Sequence, residues 1–211
     1  MLVGLALGVT GCARKWCDGF KVGGNGGFEA GYRFGILAPV FAASIGGGRT
    51  DVSEELRQVG WEGADSSMRW IDVGIGVLIF PARNARVDPY VGARFGYSSF
   101  VQELSASDGS REANATLRLG RAAVRFVAGL DFFVRPIFTL GPRFEISVPF
   151  GGKMCIRGDV EGFPDGDCMK IRDLADDDGS AVPLDTSDLP VMWSLSLYAR
   201  FVFPRAPAPP S

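Results

Sequence analysis

Glu29, Arg33, Asp72, Arg94, Arg121, Arg125, Asp131, Arg143, Glu145 and Arg200 each stand directly beside an apolar residue in the chain. Carboxylates and guanidinium groups so placed can do two kinds of chemistry. Two acids can share general acid–base work, or the acids can pair with arginine in an interior shielded from water. The signs are mixed, and Gly, Ser and Thr are interspersed among the charged positions. Small residues make room for long charged ones in a narrow interior, and pairing is needed there because a buried lone charge is expensive. We read these residues as an internal charge network and expect no catalytic site. The sequence contains no histidine, which removes the commonest general base and metal ligand, and with it His-dependent triads. No serine stands in a recognisable nucleophile arrangement. No cofactor or metal is implied, and a net charge of −2 speaks against a nucleic-acid partner.

Strands must position these side chains. Glycine is abundant, at 29 of 211 residues, about twice its average share of roughly 7%. It recurs through the most apolar segments, where it would cost a helix about 1 kcal/mol each time. No stretch reaches the ~18–20 consecutive apolar residues of a membrane-spanning helix. Alternation with a period of two is clear instead. In "VMWSLSLYARFVF", Trp193, Leu195, Leu197, Ala199, Phe201 and Phe203 share one face, and Ser194, Ser196, Tyr198 and Arg200 share the other. Similar runs lie near 24–36, 39–50, 68–80, 88–102, 115–134 and 136–150, with the last over 190–204. The run 115–134 changes phase near Gly120, which a β-bulge explains.

The connections sort by length. "LAP", "PARNARV" and "RP" are short, whereas residues 51–67, 103–114 and 151–189 are long and polar. Seven strands would leave the termini on opposite sides. The opening "MLVGLALGVTGC" supplies an eighth over residues 2–11, with Val3, Leu5, Leu7 and Val9 on the apolar face and Gly4, Ala6, Gly8 and Thr10 opposite. It is expected to pair with the last strand. Read the other way, "VTGC" is a lipoprotein cleavage box, but no basic residue precedes Arg14. The strand reading places the true start, and an export signal, upstream of Met1.

From about Leu2 to Phe203 the chain resembles the small eight-stranded outer-membrane barrels of the OmpA/OmpX type. The most specific piece is "WSLSLYARFVF", which resembles a C-terminal assembly signal through Trp193, Tyr198, Phe201 and Phe203. The resemblance implies an all-β, eight-stranded antiparallel transmembrane up-and-down barrel over 2–204, with short periplasmic turns and long external loops. It implies a bacterial outer-membrane location, with lipid and the barrel assembly machinery as partners. The Pro-rich tail 205–211 is expected to be disordered.

Eight strands enclose an interior just wide enough for side chains to fill. The expected role is structural or surface interaction, with a lumen plugged by Arg, Asp and Glu and at most slow small-solute leakage. Two alternatives stay open: a lipocalin-like ligand-binding barrel anchored through Cys12, and a lipid-modifying membrane enzyme. Cys12/Cys17 and Cys155/Cys168 are expected to form local disulfides in external loops. The loop 151–189 is acidic and is the expected site for any surface ligand. It carries the tripeptide Arg157-Gly158-Asp159, a match that short motifs give by chance. It fails a calcium-loop template at Leu174. Trp61 is expected to anchor at a membrane interface.

Overall fold

The computed structural model describes residues 1–13, 17, 19–51, 63–81, 86–107, 112–158, 168–170 and 190–203. Nine strands are present: β1 (Leu2–Ala13), β2 (Gly23–Gly31), β3 (Leu37–Thr50), β4 (Gly63–Ile79), β5 (Val87–Ser107), β6 (Glu112–Arg135), β7 (Phe138–Gly158), β8 (Cys168–Lys170) and β9 (Val191–Val202). Every pairing is antiparallel. Eight of the strands close in the order β1-β2-β3-β4-β5-β6-β7-β9, and β9 returns to β1. The opening segment is therefore a wall strand, paired without a break from Leu2 opposite Val202 to Ala13 opposite Val191. The short β8 lies on β7 beyond the point where β9 stops pairing with it.

Alternation decides which side of the wall each residue takes. Leu7 is 73% exposed and Ile75 66%, whereas Arg200 is 0% exposed and Arg143 2%. Leu5, Phe41, Ile45, Val77, Phe95, Phe126, Phe144 and Leu197 add to an apolar outer belt. Apolar residues outside and charges inside is the reverse of a lipocalin-like barrel, whose oily faces line the core. The Cys12 sulfur is bonded to Cys17, so it is not available for a lipid thioether.

The barrel wall is uneven in height. β5, β6 and β7 run 21, 24 and 21 residues, against 12, 9 and 12 for β1, β2 and β9. The tall side corrects the expected loop at 103–114: β5 continues to Ser107 and β6 begins at Glu112. The two-residue alternation continues through this stretch, with Glu103, Ser105, Asn114 and Thr116 outward and Leu104, Ala106, Ala115 and Leu117 inward, but its outward face is polar, unlike the belt, so it resembles a loop in sequence. The loop expected over 151–189 likewise begins as strand, to Gly158, and contains β8. Three of the four cysteines accordingly sit in strands: Cys12 in β1, Cys155 in β7 and Cys168 in β8. Both disulfides pair as expected, Cys12 with Cys17 and Cys155 with Cys168. Trp61, Asp159, Leu174 and the tail 204–211 lie outside the described residues.

Two further expectations need correction. β2 ends at Gly31, not near 36, so Arg33 stands in a turn. That turn is closed by Phe34 and Leu37, which exchange backbone hydrogen bonds, and it uses Gly35 at φ 62°. The β-bulge is real but lies on β7, not on β6. β6 keeps one phase past Gly120, with Leu119, Arg121, Ala123, Val127 and Asp131 all buried; its own irregularity comes only at the short-turn end, between Phe133 and Arg135. Gly120 faces Lys153 and Ala122 faces Phe150, so two residues of β7, Gly151 and Gly152, oppose one of β6. Gly151 and Gly152 have φ values of 58° and 142°, which L side chains rarely adopt.

Gly151→Val is expected to lower the stability of the folded barrel by about 1–2 kcal/mol, the cost of a left-handed conformation for a side chain with a Cβ. Gly24→Ala, where a Cβ would meet nothing within 4 Å, is expected to stay within about 0.5 kcal/mol, as surface substitutions usually do. Urea unfolding in detergent, followed by loss of heat-modifiable gel migration, measures both.

Candidate functional site

The interior is built in three layers, each from inward positions of successive strands. In the middle layer Glu29 is the centre. Its carboxylate accepts from Arg143 Nη2 at 2.8 Å, Arg200 Nη2 at 3.3 Å and the Tyr198 hydroxyl at 2.9 Å. Arg94 Nη1 lies 3.9 Å away. One carboxylate on β2 thus gathers groups from β5, β7 and β9. Glu145 extends the cluster, 2.5 Å from both Arg94 Nη2 and Arg143 Nε. Arg200 also pairs with Asp131 on β6. Arg125 pairs with Asp72 and donates to the Ser44 hydroxyl at 3.0 Å. Charges this deep are costly unless they are paired and hydrogen-bonded.

Small residues make the space, as the sequence implied. A Cβ on Gly76 would meet the Arg94 side chain, and one on Gly4 would fall on the Tyr198 ring and hydroxyl. The arginines also lie over rings. Arg200 is 4.5 Å from the Tyr90 centroid and 4.7 Å from that of Tyr198, and Arg143 is 4.5 Å from Tyr198. Such contacts strengthen when desolvated.

All ten charged residues singled out from the sequence are placed inward or at the lumen rim. Arg33, from its turn, reaches the short-turn end and pairs with Asp88, with its guanidinium 4.1 Å from the Phe80 centroid. Arg121 differs from the rest. It is buried, and no described carboxylate lies within 4.0 Å of it. It donates to the Pro190 carbonyl at 3.2 Å and lies over Phe100. Of the four residues of the C-terminal run, Tyr198 points into the lumen while Phe201 and Phe203 are exposed.

Two apolar layers were not foreseen. Toward the long connections, Met68, Trp70, Phe100, Leu119, Met154 and Met192 pack together, with Trp70 and Phe100 stacked at 6.4 Å. Toward the short turns, Leu2, Val40, Leu78, Phe80, Tyr90 and Val127 form a second cluster. The signal for them was parity itself. Counting back from Asp72 by twos reaches Trp70 and Met68, and counting from Arg94 reaches Tyr90. Between the layers, the cavities lined by Glu29, Arg94 and Arg143 and by Asp72, Arg125 and Glu145 measure about 20 and 30 Å³. Each has room for about one water molecule. Chemically, the arrangement holds paired charges in place inside the barrel.

No family model and no curated protein matches the sequence. Solved structures do match in fold. The outer membrane protein OprG from Pseudomonas aeruginosa aligns with a TM-score of 0.54 at 12% identity, covering 95% of each chain. A major outer membrane protein from Thermus thermophilus aligns at 0.54 and 13%, covering 94% of this chain and 98% of that one. Ail, the attachment invasion locus protein of Yersinia pestis, solved with the heparin analogue sucrose octasulfate, aligns at 0.51 and 13%, covering 95% and 97%.

Glu29→Leu is expected to cost about 3–5 kcal/mol, because it strands buried arginines rather than removing a balanced pair. Adding Arg143→Met to that variant is expected to recover part of the loss. A double-mutant cycle on the urea midpoint measures the coupling. With its closed eight-strand order, apolar exterior and charged interior, the chain has the fold of the small outer-membrane β-barrels.

Proposed function

We propose that this chain is an integral outer-membrane barrel that conducts little or nothing and acts through its surface. The observation that carries this reading is the three-layer lumen, apolar at both ends and ion-paired between, inside a wall whose outer face is apolar. A belt of exposed Leu, Ile, Val and Phe suits hydrocarbon, and eight strands enclose an interior just wide enough for side chains to fill. Its direct partners are outer-membrane lipid and, during biogenesis, the barrel assembly machinery, which would read the strand ending at Phe203. The tall side of the wall, β4 to β7, rises beyond the belt and offers a rigid platform for surface contacts. The loop between β7 and β9 is the place for a specific ligand.

Outer-membrane fractionation followed by extraction is the first test. The chain is expected to resist carbonate and to require detergent. In planar bilayers it is expected to show no stable channel steps, and a steady, large conductance would overturn the plugged lumen. Ile75→Arg, at the middle of the belt, is expected to destabilise the inserted barrel by about 2–4 kcal/mol, as a cation at the bilayer midplane does. A soluble barrel would tolerate the same change within about 0.5 kcal/mol.

A further inference from the structure

Beyond the belt, the outward face of β6 and β7 carries Arg118, Lys153 and Arg157. All three are exposed, and among the described residues none has a carboxylate within ion-pair distance. Glu103, the acid on the neighbouring β5, lies 4.0 Å from Arg69 instead. The register makes the three cations neighbours. Lys153 stands opposite Gly120, Cys155 opposite Arg118, and Arg157 opposite Thr116. Arg118 is therefore diagonal to both Lys153 and Arg157, at about 7–8 Å. Like charges this close are unfavourable unless an anion lies among them.

The bulge shapes the ground beside them. Where Gly151 and Gly152 splay β7 from β6, the outer face holds a depression of about 770 Å³ lined in part by Tyr97, Arg118, Gly120, Lys153 and Cys155. The Tyr97 hydroxyl occupies the place a Cβ would take on Gly120, which turns a donor toward the basic row. The Cys155–Cys168 disulfide ties β8 to β7 at the edge of the depression. Height matters as well. Phe150 and Tyr97 are the last exposed aromatics of the belt on these strands, and Lys153 lies one outward position above Phe150 across the bulge. That is headgroup level if the belt lies in hydrocarbon, and clustered cations there attract anionic lipid.

We propose that this face binds the phosphate groups of an anionic outer-leaflet lipid, with Arg118, Lys153 and Arg157 as the phosphate contacts and Tyr97 as an added donor. Guanidinium groups suit phosphate because they can donate two parallel hydrogen bonds. The inference rests on the membrane reading above, and its test separates the two.

The full chain, folded in detergent, is titrated with diphosphorylated lipid A and with its dephosphorylated form, and bound lipid is counted by native mass spectrometry. The wild type is expected to retain one phosphorylated lipid and to bind the dephosphorylated form at least tenfold more weakly. The combined variant Arg118→Gln, Lys153→Gln, Arg157→Gln is expected to lose at least tenfold in retention of the phosphorylated lipid. Arg69→Gln, a cation on the same rim, is expected to stay within twofold. Equal retention by the triple variant, or equal binding of both lipid forms, overturns the proposal. Complete displacement by micromolar inorganic pyrophosphate also overturns it, in favour of a soluble phosphate ligand. Heat-modifiable migration confirms that each variant is folded, and insertion into zwitterionic vesicles is scored in parallel. Failure of the wild type to insert removes the membrane reading and this site with it, whereas insertion with unselective lipid binding removes the site alone.

Discussion

A carboxylate in the middle of a narrow barrel must collect cations from across the lumen, and Glu29 sets that requirement here. Its partners Arg94, Arg143 and Arg200 come from β5, β7 and β9, so a single acid on β2 couples strands that never pair with it through the backbone. Satisfying it fixes more than charge. Arg143 and Arg200 need flat partners, which Tyr198 and Tyr90 supply. The Tyr198 ring needs a strand without a side chain at Gly4, and Gly4 is registered with Arg200 across the β1–β9 seam. The same network that balances the lumen therefore selects the register at which the barrel closes. A one-residue slip would send the charged set outward and the apolar belt inward together.

The apolar layers at the two ends complete that logic. Ion pairs gain from a low local dielectric and lose from competing water. Trp70, Phe100 and Leu119 at one end, and Leu2, Leu78 and Phe80 at the other, separate the pairs from bulk solvent. The lumen is thus a buried core turned inside out relative to a soluble protein only at its centre. At its ends it is packed as any interior is.

How far the sequence revealed this depended on which property was followed. Parity was reliable: the strand phases set by Asp72, Arg94, Arg125, Arg143 and Arg200 put every one of them inside. Apolarity was a poorer guide, because a residue read as oily was read as outward. Leu117 and Leu119 therefore looked like a phase change on β6, although they continue the inward row that includes Arg121. The irregularity opposite Arg121, at Gly151 and Gly152, has the look of an ordinary strand end in sequence. Alternation puts Arg33 in the internal charge network but on a strand, because the pattern of its neighbours runs on past Gly31, where β2 ends, into the turn at Gly35. The tall wall escaped notice for a related reason. Above the belt the two-residue pattern persists, but Glu103 and Ser105 face outward and Leu104 and Ala106 inward, so a reading that follows outward apolar residues ends the strand too early.

The bulge joins the inner and outer surfaces of the tall wall. β7 carries odd-numbered residues inward up to Pro149 and turns Met154 inward beyond the two glycines. Without that switch Lys153 would enter the apolar layer beside Leu119, and Met154 would face out. With it, the methionine completes the apolar layer toward the long connections and the lysine joins Arg118 on the exterior. The neighbouring β6 keeps its phase, so Arg121 remains inside at the level of the bulge, over Phe100 and against the start of β9. One inserted residue thus serves the packing of the lumen and the charge of the rim together, and the cost of two glycines in positive φ is offset on both faces of the wall.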